Sequence, residues 1–258
     1  LIISHQHFFD KMKHKVMFGP AGSPVNYKGA AYKAPKYIKE EGLDSYEYQS
    51  PYGVRIGEKS AKILKEESEK HDILISMHGP YYINLCSKEE EKIKKSLNHL
   101  IATARAGEWM GAYRLVFHPG FYSNRKAMEI SKNTINQLFE ELEAEGIEEF
   151  TFAPETTGKR SQQGNVSEII ELCASFDHFE PTVDFAHVHA RGRGFLNKKE
   201  DYNCIFSQLE DNLDIDILHC HFTTIEYGNG GEVKHHTLAE SNEYGPDIKD
   251  LLANLIDN

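Results

Sequence analysis

Six residues of metal-ligating type, His78, His118, Glu155, Asp184, His187 and His221, recur along the 258-residue chain, each in the last residues of an apolar, β-prone run or just beyond it. Imidazole nitrogen and carboxylate oxygen are the donors that zinc takes, at about 2 Å, and Mn2+ suits the same mixed set. One ion needs three or four donors, so this set predicts a cluster. A carboxylate can bridge two ions, and a bridged pair polarises phosphate oxygens while generating hydroxide at neutral pH. That chemistry points to phosphoryl hydrolysis ahead of redox work.

Such residues must be brought together by the elements that carry them. Apolar, β-prone runs occur at VMFGPAG (16–22), SYEYQS (45–50), ILISMHG (73–79), RLVFHPG (114–120), EFTFAPE (149–155), PTVDFAH (181–187) and DILHCHF (216–222). Helical apolar spacing separates them. In 87–111, Ile93, Leu97, Leu100, Ile101 and Ala104 fall at three- and four-residue steps, and Ser87 with Glu90 predicts a capping-box start. A second such face, through Ile130, Ile135, Leu138, Phe139 and Leu142 in 125–145, stops at Gly146, and shorter helices fit 57–70, 167–176, 198–211 and 246–257. Strand–helix alternation of this kind predicts an α/β fold, a TIM (βα)8-type barrel with about seven of its eight βα units in this chain. In such barrels catalytic groups stand at the C-terminal rim of the strands, where these six residues fall. The chain ends at LLANLIDN, inside what reads as a seventh helix, which predicts that a last strand is absent or truncated and that the edge of the seventh strand is open.

Residues 16–258 read as one barrel domain. The opening LIISHQHFFDKMKHK (1–15) has too short an apolar run for a signal peptide and lacks a starting Met, so it reads as an extension outside the fold, upstream of a start at Met12 or Met17 or an appended remnant. No run approaches the roughly 18–20 apolar residues of a membrane span. Cys86, Cys173, Cys204 and Cys220 form no CxxC pair, which predicts structural thiols in a reducing cytoplasm. The formal charge of −11 argues by itself against a nucleic-acid partner. Its distribution weakens the objection. Acids crowd helical segments such as KEEEKIKK and EELEAEGIEE, whereas Arg55, Arg125, Lys126, Lys159, Arg160, Arg191 and Arg193 lie just past strand ends, on the face where phosphates would lie.

SMHGPYYINL, VFHPGFY, FAPETTGK, TVDFAHVHARG and HCHFTTIEYGNGGEVKHHTLAES occur in an order and spacing that resembles the endonuclease IV family, and its archaeal branch in the HFTTIEYGNGGE stretch. The resemblance spans 16 to about 255. It implies a trinuclear zinc enzyme that incises double-stranded DNA 5′ to abasic sites, leaving a 3′-hydroxyl, with Glu155 central to catalysis. It further implies one ion held by His78, His118 and the bridging Glu155. A second would take Glu155, Asp184, His221 and a glutamate on an eighth strand. A third would take His187, His235 and a loop carboxylate. The family places that carboxylate two residues before the histidine, where this chain has Val233, so the adjacent Glu232 is the expected ligand. His219 and His221 both face the barrel by strand alternation; His221, nearer the rim, is the expected ligand and His219 a packed or supporting residue. His236 and His189 are expected to be structural. Gly79-Pro80 would set Tyr81 and Tyr82 on the rim, where rings can fill the gap left by unstacked bases, with Asn84 and Leu85 anchoring the turn. Tyr81, Tyr82, Arg55, Lys159 and Arg191 are thus the expected substrate contacts of a cytoplasmic monomer. Two rivals remain: a xylose-isomerase-like sugar isomerase or epimerase, which would need only Glu155, Asp184 and His221 with one or two divalent ions, and an inactive DNA- or metal-binding remnant.

Overall fold

Residues 16–257 are described by a computed structural model; the segment 1–15, expected to stand apart from the fold, lies outside the described residues. Six strands run parallel in chain order: β1 (Ser45–Gln49), β2 (Leu74–His78), β3 (Leu115–Phe117), β4 (Phe152–Pro154), β5 (Thr182–Asp184) and β6 (His219–His221). β1 to β4 form one hydrogen-bonded sheet and β5 with β6 another. Parallel bridges Phe152–Phe179 and Glu155–Thr182 join the two into a curved wall. The expected strand over 16–22 lies along β1 only as an irregular edge: Phe18 O accepts from Asp44 N and Ser45 N, and Gly22 N donates to Glu47 O at 2.9 Å. Pro20 has no N–H to extend that ladder.

Helices α1 (Pro35–Glu40), α2 (Glu58–His71), α3 (Glu90–Met110), α4 (Ala127–Ala144), α5 (Val166–Ser175), α6 (Phe185–Arg191), α7 (Lys199–Glu210) and α8 (Ile248–Asp257) connect and cover the strands. The fold is the α/β barrel that the alternation predicts. Three local expectations are corrected. Ser87 does not close a capping box: its Oγ accepts from Glu89 N, two residues on, and α3 starts without a side-chain cap. The run 181–187 is not all strand, because the Asp184 side chain accepts from His187 N and turns the chain into α6. The stretch after β6 is no loop but an antiparallel hairpin, β7 (Thr224–Gly228) and β8 (Gly231–His236), turning through a glycine-rich tip.

Strand alternation sorts the barrel wall into two chemistries. Tyr46, Ile75, Met77, Leu115, Phe117 and Phe152 point outward and are buried against Leu64, Leu100, Leu138 and their neighbours on the helices. Each such side chain stabilises by roughly 1.5–3 kcal/mol through the apolar area it removes from water. A second cluster, with Val183, Phe185, Tyr202, Ile205, Leu209 and Leu251, seats α7 and α8 on β5. The inward positions of β1, β2, β5 and β6 are polar instead, while Val116 and Ala153, in register with His78, keep β3 and β4 apolar. Glu47 pairs in register with Ser76 and Gln49 with His78, while Thr182 pairs with His219 and Asp184 with His221. Among the described residues no strand pairs with the far edge of β6, and Cys220, opposite in alternation to the inward His219 and His221, is exposed there. No helix among them is long and apolar enough to cross a membrane.

Candidate metal centre

The inward polar residues converge on Glu155, at the end of β4 and 1% exposed. Its Oε2 lies 3.1 Å from His78 Nε2 and 3.0 Å from His118 Nε2, at the ends of β2 and β3. Its other oxygen, Oε1, lies 2.9 Å from His221 Nδ1 at the end of β6. One carboxylate therefore faces two sets of imidazoles with its two oxygens. Burial alone would raise the Glu155 carboxyl, but the His221 and His118 imidazoles outweigh it and hold it well below the usual carboxylate range.

Hydrogen bonds fix which nitrogens can serve as donors. His78 Nδ1 lies 2.7 Å from the Gly79 carbonyl, which only accepts, so Nδ1 carries a proton and Nε2, facing Glu155, is the nitrogen that can give up its proton to a cation. Likewise His187 Nδ1 donates to Thr156 O at 2.8 Å, and its Nε2 stands 3.0 Å from His235 Nε2. His235 Nδ1 is in turn engaged by Thr223 Oγ1 at 2.7 Å. Lone pairs aimed at one another or at a carboxylate oxygen repel unless a proton or cation lies between them. Such a donor set fits divalent ions, with the outer nitrogens fixed by neighbours as metal-ligating histidines require.

Three donor groups around the rim are each compact enough for one ion: His78, His118 and Glu155; Glu155, Asp184 and His221; and Asp184, His187 and His235. Glu232 stands just outside the third, with its oxygens 3.7 Å from His187 Nε2 and 3.9 Å from His235 Nε2. The hairpin delivers both Glu232 and His235. Its approach depends on Gly158, where a Cβ would meet the Glu232 Cβ at 2.7 Å and its Oε2 at 2.9 Å. Glu232 N donates to Gly158 O and Arg160 N to Gly230 O, binding hairpin to loop.

Sequence reasoning missed Glu47. It sits mid-strand on β1, away from any strand end, 5% exposed, and its carboxylate reaches across the barrel to His221 Nε2 at 3.0 Å and His219 Nε2 at 3.0 Å. The signal was the alternation in SYEYQ, which turns Glu47 and Gln49 inward while the tyrosines turn out. His219 does more than pack: its Nδ1 also lies 2.6 Å from the Tyr113 hydroxyl. Among the described residues His236 and His189 join none of these donor groups: the first is stacked 3.9 Å from Tyr244 and bonded to Glu240, and the second accepts from Leu196 N.

Around the rim, Tyr81 lies half-exposed with its ring stacked on His118 at 5.5 Å and edge-on to His78 at 5.3 Å. Tyr82 is more exposed and leans the other way, toward His99 of α3. Asn84 accepts from Cys86 N and donates its own N–H to Ser96 Oγ, while Leu85 is fully buried, so both anchor the turn. Arg55, Lys159, Arg160 and Arg193 are exposed. Arg191 differs. Its guanidinium donates to the carbonyls of Lys159 at 2.7 Å and Gln162 at 3.0 Å and to the Tyr122 hydroxyl at 3.0 Å, organising the loop after β4.

A family model described as xylose isomerase-like TIM barrel matches residues 35–255. The chain is 38% identical over 234 residues to an uncharacterised protein of Methanocaldococcus jannaschii, a match covering 88% of this chain and 83% of that one. It is 28% identical over 200 residues to a probable endonuclease 4 of Aquifex aeolicus, over 73% of this chain and 70% of that one. The endonuclease IV structure from Thermus thermophilus superposes with a TM-score of 0.67 at 18% identity, over 86% of this chain and 81% of that one. A D-tagatose 3-epimerase-like protein superposes at 0.59 with 19% identity, over 83% of this chain and 78% of that one.

Proposed function

The chain belongs to the xylose isomerase-like TIM barrel family, on its endonuclease IV-like side, and we propose that it is a divalent-metal-dependent phosphodiesterase that incises double-stranded DNA 5′ to abasic sites. The observation that carries this reading is the position of Glu155, whose two oxygens face His78 with His118 on one side and His221 on the other. Bound zinc ions, three in number, would polarise the phosphate and make an attacking water acidic enough to ionise near neutral pH. His78, His118, Glu155, Asp184, His187, His221, His235 and Glu232 would hold them, Glu232 after a small side-chain movement. Glu155, buried and ionised, orients the attacking water at the centre of the donor set. Tyr81, poised over His118, would cover the site and fill a gap in an opened duplex, with Tyr82 beside it. Arg55 and Lys159 would meet phosphates, while Arg191 acts by holding the loop that presents Lys159. We read residues 16–258 as one such domain, a cytoplasmic monomer.

A sugar isomerase or epimerase on the same barrel would use Glu155, Asp184 and His221 but has no call on His78, His118, His187 and His235, whose convergence favours the nuclease. The test is incision of a duplex carrying one abasic site, with and without chelator. Glu155→Gln should keep the fold and lose more than about 10²-fold in incision rate, beyond the cost of one supporting contact. Near-normal turnover by that variant, or chelator-resistant cutting by the parent, overturns the reading.

A further inference from the structure

Below the rim, one layer deeper in the barrel, Glu47, His219 and His221 gather a fourth donor group compact enough for one ion. We propose that Glu47, His219 and Nε2 of His221 form an additional divalent-cation seat inside the barrel, a set of two imidazoles and one carboxylate suited to zinc. It competes with the rim set for one ligand, the shared His221.

The surroundings are those of a held ligand set. Gln49 Nε2 donates to Glu47 Oε1 at 2.7 Å and Ser76 Oγ to Oε2 at 3.1 Å, so the carboxylate is aimed by two neutral donors. The Tyr113 hydroxyl beside His219 Nδ1 can accept as well as donate, which lets Nδ1 carry the ring proton and frees Nε2 to coordinate. Carboxylate-to-imidazole separations of 3.0–3.1 Å are close to the ligand–ligand spacing around a small ion and need only slight expansion. An independent sign comes from Thr182, level with His219 in the sheet. Its hydroxyl is fully buried without a hydrogen-bond partner among the described residues, an unmet polar group on the same inward face of the sheet as His219.

His221 divides its service. Neutral imidazole has one lone pair, so it coordinates either toward Glu155 through Nδ1 or toward Glu47 through Nε2, the other nitrogen keeping its proton. An ion in the deep seat leaves Nδ1–H donating to Glu155, at the 2.9 Å the structure shows.

The seat is tested with Co2+ on reduced, metal-free His219→Cys protein. A cation at Glu47 would bind the introduced thiolate and give a near-ultraviolet sulfur-to-cobalt charge-transfer band that the parent lacks, since Cys220 faces the other way. Adding Glu47→Gln should abolish the band. Cobalt uptake seen only in the visible bands, with no charge-transfer band, overturns the seat. Should His219→Cys not fold, Glu47→Gln in the parent background serves: one class of Co2+ site should weaken at least about 10-fold, and an unchanged titration overturns the proposal. The rim reading fails separately, if His118→Ala and His187→Ala leave cobalt uptake intact, and the charge-transfer band would survive that outcome.

Discussion

At the scale of single residues, the protonation of His187 links folding to ion binding. Burial alone would lower its imidazole, but Asp184, Glu155 and Glu232 outweigh that and raise it from 6.5 to about 9. With the folded value above the unfolded one, the stabilisation this pairing gives the metal-free protein is fully present below about pH 6.5 and is lost as pH climbs to about 9. A cation needs the same ring unprotonated, so uptake should expel protons and tighten with rising pH across that window. Zinc titration calorimetry in buffers of different ionisation enthalpy should report net proton release; proton-neutral uptake with flat affinity would contradict it. The strand-end ligand types were legible because each closes an apolar run. Glu47 was not, because a lone acid inside a strand reads as an outward, solvated position until the barrel shows which face is inside.

At the scale of elements, the hairpin β7–β8 and the loop after β4 act as one clamp, and Gly158 sets their spacing. Gly158→Ala should force the hairpin back, lowering stability by about 1–3 kcal/mol and weakening uptake at the His187–His235 pair by roughly 10–100-fold. Gly230→Ala, whose Cβ meets nothing within 4 Å, should stay within about 0.5 kcal/mol of the parent. Thermal melts and metal counts on the two variants would decide; equal behaviour would remove the clamp from the account. The long helices were readable from apolar spacing. The hairpin was not, because GEVKHH presents no apolar alternation and its strands gain their order from pairing and from the Gly158 contact. Nor was the break at Asp184, where one side-chain cap turns an apparent strand into α6.

At the scale of the whole molecule, the acidity of the chain and the bases past its strand ends set opposing fields. DNA affinity should therefore be modest and fall steeply with salt, by about one logarithmic unit per tenfold salt for each phosphate neutralised. Lys159→Ala should reduce that slope by about one without altering abasic-site preference, and an unchanged slope would place phosphates elsewhere. The order of strands around the wall was predictable from βα alternation, whereas its irregular first edge along β1 follows from Pro20. Donor residues are strung from β1 to β8, and no short stretch of the chain carries a complete donor set. The donors can hold a cation only where the fold has gathered them, so ion release and loss of tertiary structure are one event.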